Sequence, residues 1–440
     1  MKKKKKQKIV TRQKEFQNFI KWAQKNGASF PDIQFKLYNN LERGVHTKSY
    51  TRAKSKIIKI PSSIIIHDGM GGETAIGRQL LQGAHQDIPN IKIVLLVIYI
   101  LTTINKGSFF EPYYDILPKT MNHFPIFWDK NDLSILKGSP MVDRIGRRKK
   151  SLIRDFKIIA SICPEFKRDH SLDDFVWVRT LVGSRNFGIT IDGHSRMAMV
   201  PLADMLNHDQ NPGVKWYFDN ADNCFIMRTN RGIRRGAAIT DSYGKKSNGD
   251  TLLYYGFILD DNQDSSVLVN VVHKEDKHKE SRDHIFPSLE GRLIRNIDDI
   301  FTIDMLCFFR IAVSTLPELS KYRHRSDYSK PINGSNESKA LYVMDDYLGK
   351  LLARYNKSYK ATLADFKRAR EASNRKMALK LIIGEMEIII FYKLLAQQAM
   401  NYMNGSHQDI LDEFRPYINK IDQVNGVKLT GGGGGAALLR

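Results

Sequence analysis

Residues 196–257 constrain this chain more tightly than any other stretch. An apolar run at 197–202 stops at Asp204-Met205-Leu206-Asn207-His208, where side chains that compete with the backbone for hydrogen bonds favour a turn. Residues 214–218 and 224–227 carry the aromatic and β-branched side chains of paired strands, with Asn220-Ala221-Asp222-Asn223 as the hairpin link. Gly232 and Gly236 punctuate residues 231–238, Asp241-Ser242-Tyr243-Gly244 follows, and a short helical pattern closes at Tyr255-Gly256-Phe257. The stretch holds no phosphate loop, nucleophile elbow or Rossmann fingerprint.

Upstream, the spacing of Phe16, Phe19, Ile20 and Ala23 predicts an amphipathic helix over 15–25, stopped by Gly27. Short strands are expected at 33–37, 45–47 and 57–60, the last ended by Pro61. From 74 to 175 the pattern turns helical. Its apolar run at 91–104 is interrupted by Lys92 and too short to span a bilayer, so it reads as a buried helix. A helix starting near Ser171, with Asp174 completing a capping box, is expected to run to Ser184-Arg185-Asn186-Phe187. After an apolar run at 267–272, polar residues 273–283 read as a connector. Helices are expected at 303–313, 336–355, 363–370 and 375–402, with a polar segment at 322–335. The last helix is apolar around too much of its circumference to lie on a surface. The glycines at 431–435 read as a flexible linker.

The chain's 440 residues suffice for two or three domains, and 42% hydrophobic content suits a globular protein. A net charge of +22 and a pI near 9.7 would suit an acidic partner such as nucleic acid or ribosomes. The excess is spread along the chain, however, and only residues 1–8 form a charge run. That run reads as a solvated tail, with a nuclear address or electrostatic tether as alternatives. Cys163, Cys224 and Cys307 lie far apart and form no CxxC pair, which supports neither a disulfide framework nor a zinc cluster. No secretory apolar segment follows the basic start, so the expected location is the cytoplasm, with the nucleus as a second compartment.

The order of Asn207-His208, Ser242-Tyr243-Gly244 and Tyr255 before Gly256-Phe257 resembles the core of a SET-domain methyltransferase. The surroundings, PLADMLNH and SYGKKSNGDTLLYYGF, look most like the Rubisco large-subunit methyltransferase branch, which includes protein-lysine and actin-histidine methyltransferases. That resemblance implies an α+β fold: a SET β-fold of small sheets with a helical insertion, then an all-α C-terminal domain. The expected boundaries are a basic tail at 1–13 and a SET domain at 14–273, with core 14–73 and 176–273 around an insertion at 74–175. A helical substrate-binding domain at 284–405 and a tail at 406–440 follow.

The resemblance also implies S-adenosyl-L-methionine as cofactor and assigns roles by position. Residues 41–45 are similar to the family's glycine-containing turn, with Arg43 and Gly44 near the cofactor and Glu42 where the family commonly has Gly. Ser184-Arg185-Asn186-Phe187 resembles the family's Ser-Arg-x-Phe. Arg185, Asn207, His208 and Tyr243 would hold the cofactor, Tyr243 would be the catalytic tyrosine, and Phe187, Asp204 and Tyr255 would line the substrate channel. No metal is implied. An apolar ring at Phe187 suits an aliphatic lysine stem, whereas an imidazole would call for a polar partner, so lysine is the expected acceptor and histidine the alternative. The expected partner of this monomer is a folded non-histone protein, ribosomal or cytoskeletal, with no membrane and with nucleic acid second. A retired SET fold that binds proteins or ribosomes without turnover is the rival reading.

Overall fold

The computed structural model describes residues 2–38, 43–83, 85–270, 278–285, 290–294 and 301–403; Glu42, part of the 273–283 connector and the glycine run at 431–435 lie outside them. The chain divides into two compact units, Met1–Met121 with Arg147–Lys245, and Asn122–Gly146 with Lys246–Arg440.

The first unit is built of small sheets. Ile33–Leu37 pairs antiparallel with Arg43–Thr47, and the expected hairpin Val214–Asp219/Cys224–Thr229 adds Lys56–Pro61 along its second strand. Asn223 makes its turn in the left-handed region at φ 48°, which asparagine tolerates. A further sheet orders Ile66–His67, His194–Met199 and Asn186–Ile191. Here the structure corrects the expected helix to Phe187. The capping box at Ser171 and Asp174 starts a helix as foreseen, but that helix ends at Gly183 and Phe187 lies on a strand. The reason is the turn Asp192-Gly193, with φ of 47° and 78°, between paired Ile191 and His194; this Asp-Gly conformation matches the natural twist of a hairpin.

Packed against the strand His194–Met199, the helix Ile91–Thr103 is buried along most of its length, from Ile93 to Ile98 and again at Ile100 and Leu101, as its composition requires. It lies so close to Asp68–Gly72 that a Cβ on Gly71 would come within 1.9 Å of the Leu95 carbonyl. The opening helix is longer than expected, Lys2–Lys25, so the basic run continues the helix that buries Phe16, Phe19 and Ala23. No described helix is long and apolar enough to cross a membrane.

The second unit is largely helical. Phe301–Val313, Gly334–Leu352, Tyr359–Arg368 and Asn374–Met403 answer the expected helices, and the last buries Leu381, Met386, Ile389 and Tyr392 on successive faces. Sequence reasoning missed the helix Lys279–Ile285 and the strand Glu290–Ile294, which pairs antiparallel with Ser266–Asn270; both are short and charged, without a periodic signal.

Glu385, on the long last helix, is 7% exposed and accepts hydrogen bonds from Ser139 Oγ at 2.9 Å and Tyr355 Oη at 3.0 Å. Burial pushes its pKa up to about 7, against smaller lowering effects of Ser139, Tyr355 and Arg144. The folded chain therefore binds this proton more tightly than an unfolded glutamate near 4.5 does. Its contribution is complete below the unfolded pKa and is lost as pH rises through the folded one, by up to about 3 kcal/mol. Glu385→Gln is expected to flatten the fall in melting temperature between about pH 5 and pH 7.

Candidate active site

The turn foreseen at 204–208 is strained where it begins. Leu202 holds φ at 72°, rare for a bulky residue and worth about 1–3 kcal/mol, before the single 3-10 turn Ala203–Met205. Asn207–His208 then pairs in parallel with Thr240–Asp241, which brings the Asn-His and Ser-Tyr-Gly stretches side by side. The Tyr243 backbone N–H donates to His208 Nδ1 at 3.1 Å, and its ring stacks on that imidazole at 5.1 Å and 23°. Its hydroxyl donates to the Leu206 carbonyl at 2.7 Å. Nδ1 of His208 must then be the acceptor, so the neutral ring carries its proton on Nε2. Next to this pair, burial pushes the Asp241 carboxyl up to about 6, partly offset by the Ser242 backbone N–H.

Asn207 ties in the other predicted half of the site, its Nδ2 donating to the Arg43 carbonyl at 3.0 Å. Arg43 Nη1 donates to the Ile116 carbonyl at 2.7 Å, and its guanidinium lies 5.4 Å from the centre of the Phe16 ring. Gly44 leaves a gap that Tyr38 closes: a Cβ there would meet Tyr38 Oη at 2.2 Å, and that hydroxyl is bonded to His46 Nε2 at 2.5 Å. Gly44→Ala is expected to swing Tyr38 aside and cost about 1 kcal/mol for the hydrogen bond, read from urea unfolding.

Arg185 and Asp204 form a buried ion pair. Arg185 Nη1 donates to the Asp204 carbonyl at 2.8 Å and to Oδ2 at 3.1 Å, and the Asp204 side chain is 0% exposed. Tyr113 Oη donates to the same Oδ2 at 3.0 Å. Burial first, then the Asp204 charge, holds the Tyr113 phenol well above its ordinary pKa, so it stays a neutral donor. Sequence reasoning missed Tyr113 and Tyr38. Nothing local marks Tyr113, which lies 91 residues from its partner. Phe187 stands edge-on to Trp216 at 5.4 Å and Phe225 at 5.2 Å. Tyr255 belongs to the second unit, where it ends the helix Asn248–Tyr255 before Gly256 at φ 75°; burial raises its pKa.

The residues present fit a zwitterionic, nucleoside-bearing cofactor. Asp204 Oδ1 and Arg185 Nε are buried without a hydrogen-bond partner, one of each sign, beside a glycine edge and an asparagine amide. No group of metal-ligating side chains occurs among the described residues.

The SET domain family matches residues 42–244, and the Rubisco LSMT substrate-binding family matches residues 273–389. The chain is similar to the actin-histidine N-methyltransferase of Gallus gallus, 24% identical over 85% of this chain and 67% of that protein. The Homo sapiens protein of the same name is 23% identical over 86% and 68%. Among solved structures, the SET domain of LSMT bound to lysine and AdoHcy superposes with a TM-score of 0.74 at 17% identity, covering 88% of this chain and 91% of that one. Rubisco LSMT bound to AdoMet gives 0.72 at 17% identity, over 91% and 99%.

Proposed function

Since the chain belongs to the SET-domain proteins that carry a Rubisco LSMT substrate-binding domain, we propose that it methylates a lysine side chain of a folded, non-histone protein, with S-adenosyl-L-methionine as methyl donor. The observation that carries this reading is the Tyr243 hydroxyl held on the Leu206 carbonyl, with its ring on His208 and with Asn207 linking that turn to Arg43.

The cofactor supplies an electrophilic methyl on a cationic sulfur. Arg43, Gly44, Arg185, Asn207 and His208 would hold it, with Asp204 and Arg185 offering charges of both signs to its amino-acid end. Methyl transfer to an amine would form an N–C bond as the methyl's bond to sulfur breaks. The protein's part is alignment, which in the best cases lowers a barrier by roughly 7–11 kcal/mol. A lysine amine first has to lose its proton to solvent, since its reference pKa is about 10.4. Desolvation and a neighbouring positive charge both favour that loss. With its proton committed to Leu206, the Tyr243 oxygen presents lone pairs, which can accept from the amine N–H and turn the nitrogen lone pair to the methyl.

Phe187 favours lysine, because an apolar ring suits an aliphatic stem and leaves an imidazole nitrogen unpaired. The name shared by the relatives, actin-histidine N-methyltransferase, favours histidine as the second reading and a cytoskeletal protein as one substrate class. Such an enzyme would act in the cytoplasm as a monomer. The test is transfer of labelled methyl from S-adenosyl-L-methionine into an unmethylated cell extract, followed by amino-acid analysis of the labelled band. Methyllysine is the expected product. Methylhistidine moves the assignment to the second reading, and a chain that neither transfers nor binds the cofactor is a retired scaffold.

A further inference from the structure

Resting on that reading, we propose that Tyr113 is a positioning residue for methyl transfer: from the helix Glu111–Ile116 it anchors the turn whose Leu206 carbonyl aims the Tyr243 hydroxyl. Tyr113 is 0% exposed and reaches Asp204 Oδ2 at 3.0 Å. Asp204 is the middle residue of the 3-10 turn Ala203–Met205, and Leu206, which caps that turn, takes the Tyr243 hydroxyl at 2.7 Å. A displacement of Asp204 therefore shifts the acceptor on which Tyr243 is aimed.

The turn has little regular structure to hold it. It is entered through the strained Leu202 and leaves into the two-residue pairing of Asn207–His208 with Thr240–Asp241. Side-chain anchors therefore decide where it sits. Arg185 supplies one, and Asp204 Oδ1 has no partner, so losing the Tyr113 hydroxyl would leave the carboxylate held by Arg185 alone.

The same short helix also grips the other side of the site. Its last residue, Ile116, accepts from Arg43 Nη1 at 2.7 Å, and the Arg43 carbonyl in turn accepts from Asn207 at 3.0 Å. One element of the helical segment thus reaches the turn through Tyr113 and the strand Arg43–Thr47 through Ile116. The adjacent Tyr114 supplies an internal control. It is 1% exposed, but its hydroxyl pairs with Thr103 Oγ1 at 2.8 Å and takes no part in the turn.

The experiment compares Tyr113→Phe with Tyr114→Phe in the full chain, with 3-fluorotyrosine introduced at Tyr243 as a fluorine NMR probe. Phenylalanine keeps the buried ring and removes only the donor. For Tyr113→Phe the expected result is a kcat about tenfold lower, a cofactor Kd changed by less than about threefold, and a shifted or broadened fluorine resonance. Asp204→Asn should move the resonance in the same way, and Tyr114→Phe should leave resonance and kcat in place. Combined with Tyr243→Phe, the Tyr113→Phe loss should largely disappear, because neighbouring residues acting through one group are non-additive. An unmoved resonance, or full additivity of the two losses, overturns the proposal. A parent chain that neither transfers methyl nor binds S-adenosyl-L-methionine instead overturns the function proposed above, and the fluorine resonance still decides the role of Tyr113.

Discussion

Arg185→Ala is expected to destabilise the folded chain by about 3–5 kcal/mol, measured as the shift in equilibrium urea unfolding. The size follows from burial. The Asp204 side chain is 0% exposed and Arg185 only 17%, so removing the guanidinium leaves a carboxylate in the interior with Tyr113 as its remaining side-chain donor. An exposed pair such as Lys59–Asp222, at a similar 3.1 Å, would return little when broken, because water replaces the lost partner. Stability and function should separate in the double variant Arg185→Met with Asp204→Leu. Apolar replacement of both partners removes the desolvation penalty, so much of the stability should return. Methyl transfer should not, because the turn that presents Leu206 loses both of its charged anchors. A double variant as unstable as Arg185→Ala would mean that packing, rather than the orphaned charge, sets the cost.

What the sequence revealed and what it hid follow one physical division. Local signals were legible: the capping box at Ser171 and Asp174, the closing Gly256, the apolar helix Ile91–Thr103 and the hairpin across 220–223 are each written within a few residues. The Asp192-Gly193 turn is equally local: its dipeptide is a strong hairpin signal, and it sets the strand on which Phe187 lies. The side-by-side placement of Asn207-His208 and Tyr243 depends on a parallel pairing between distant segments, which no window of sequence contains. Tyr113 is the extreme case. Its neighbours, Phe110 and Tyr114, are also buried aromatics, and it is the fold that brings the Tyr113 hydroxyl, rather than that of Tyr114, to a carboxylate.

Tyr243→Phe is expected to lower kcat by about 10²–10³-fold, the range for removing one preorganised polar group from a reacting centre. The substitution is unusually clean. The ring remains to stack on His208, and the backbone N–H still donates to His208 Nδ1, so the pairing of the two segments survives. Cofactor affinity by calorimetry should therefore change by less than about threefold, while the loss falls on turnover. Asn207→Ala should behave in the opposite way. It removes the amide that ties the turn to the Arg43 carbonyl, so cofactor affinity should weaken by about tenfold, near the value of one lost hydrogen bond. Raising the pH should increase the rate of both variants, because each still needs a deprotonated lysine acceptor; a histidine acceptor, neutral above its reference pKa of about 6.5, would show that rise at lower pH. If Tyr243→Phe instead weakened cofactor binding and left kcat in place, the hydroxyl would be a wall of the cofactor site, and orientation of the acceptor would have to come from another group.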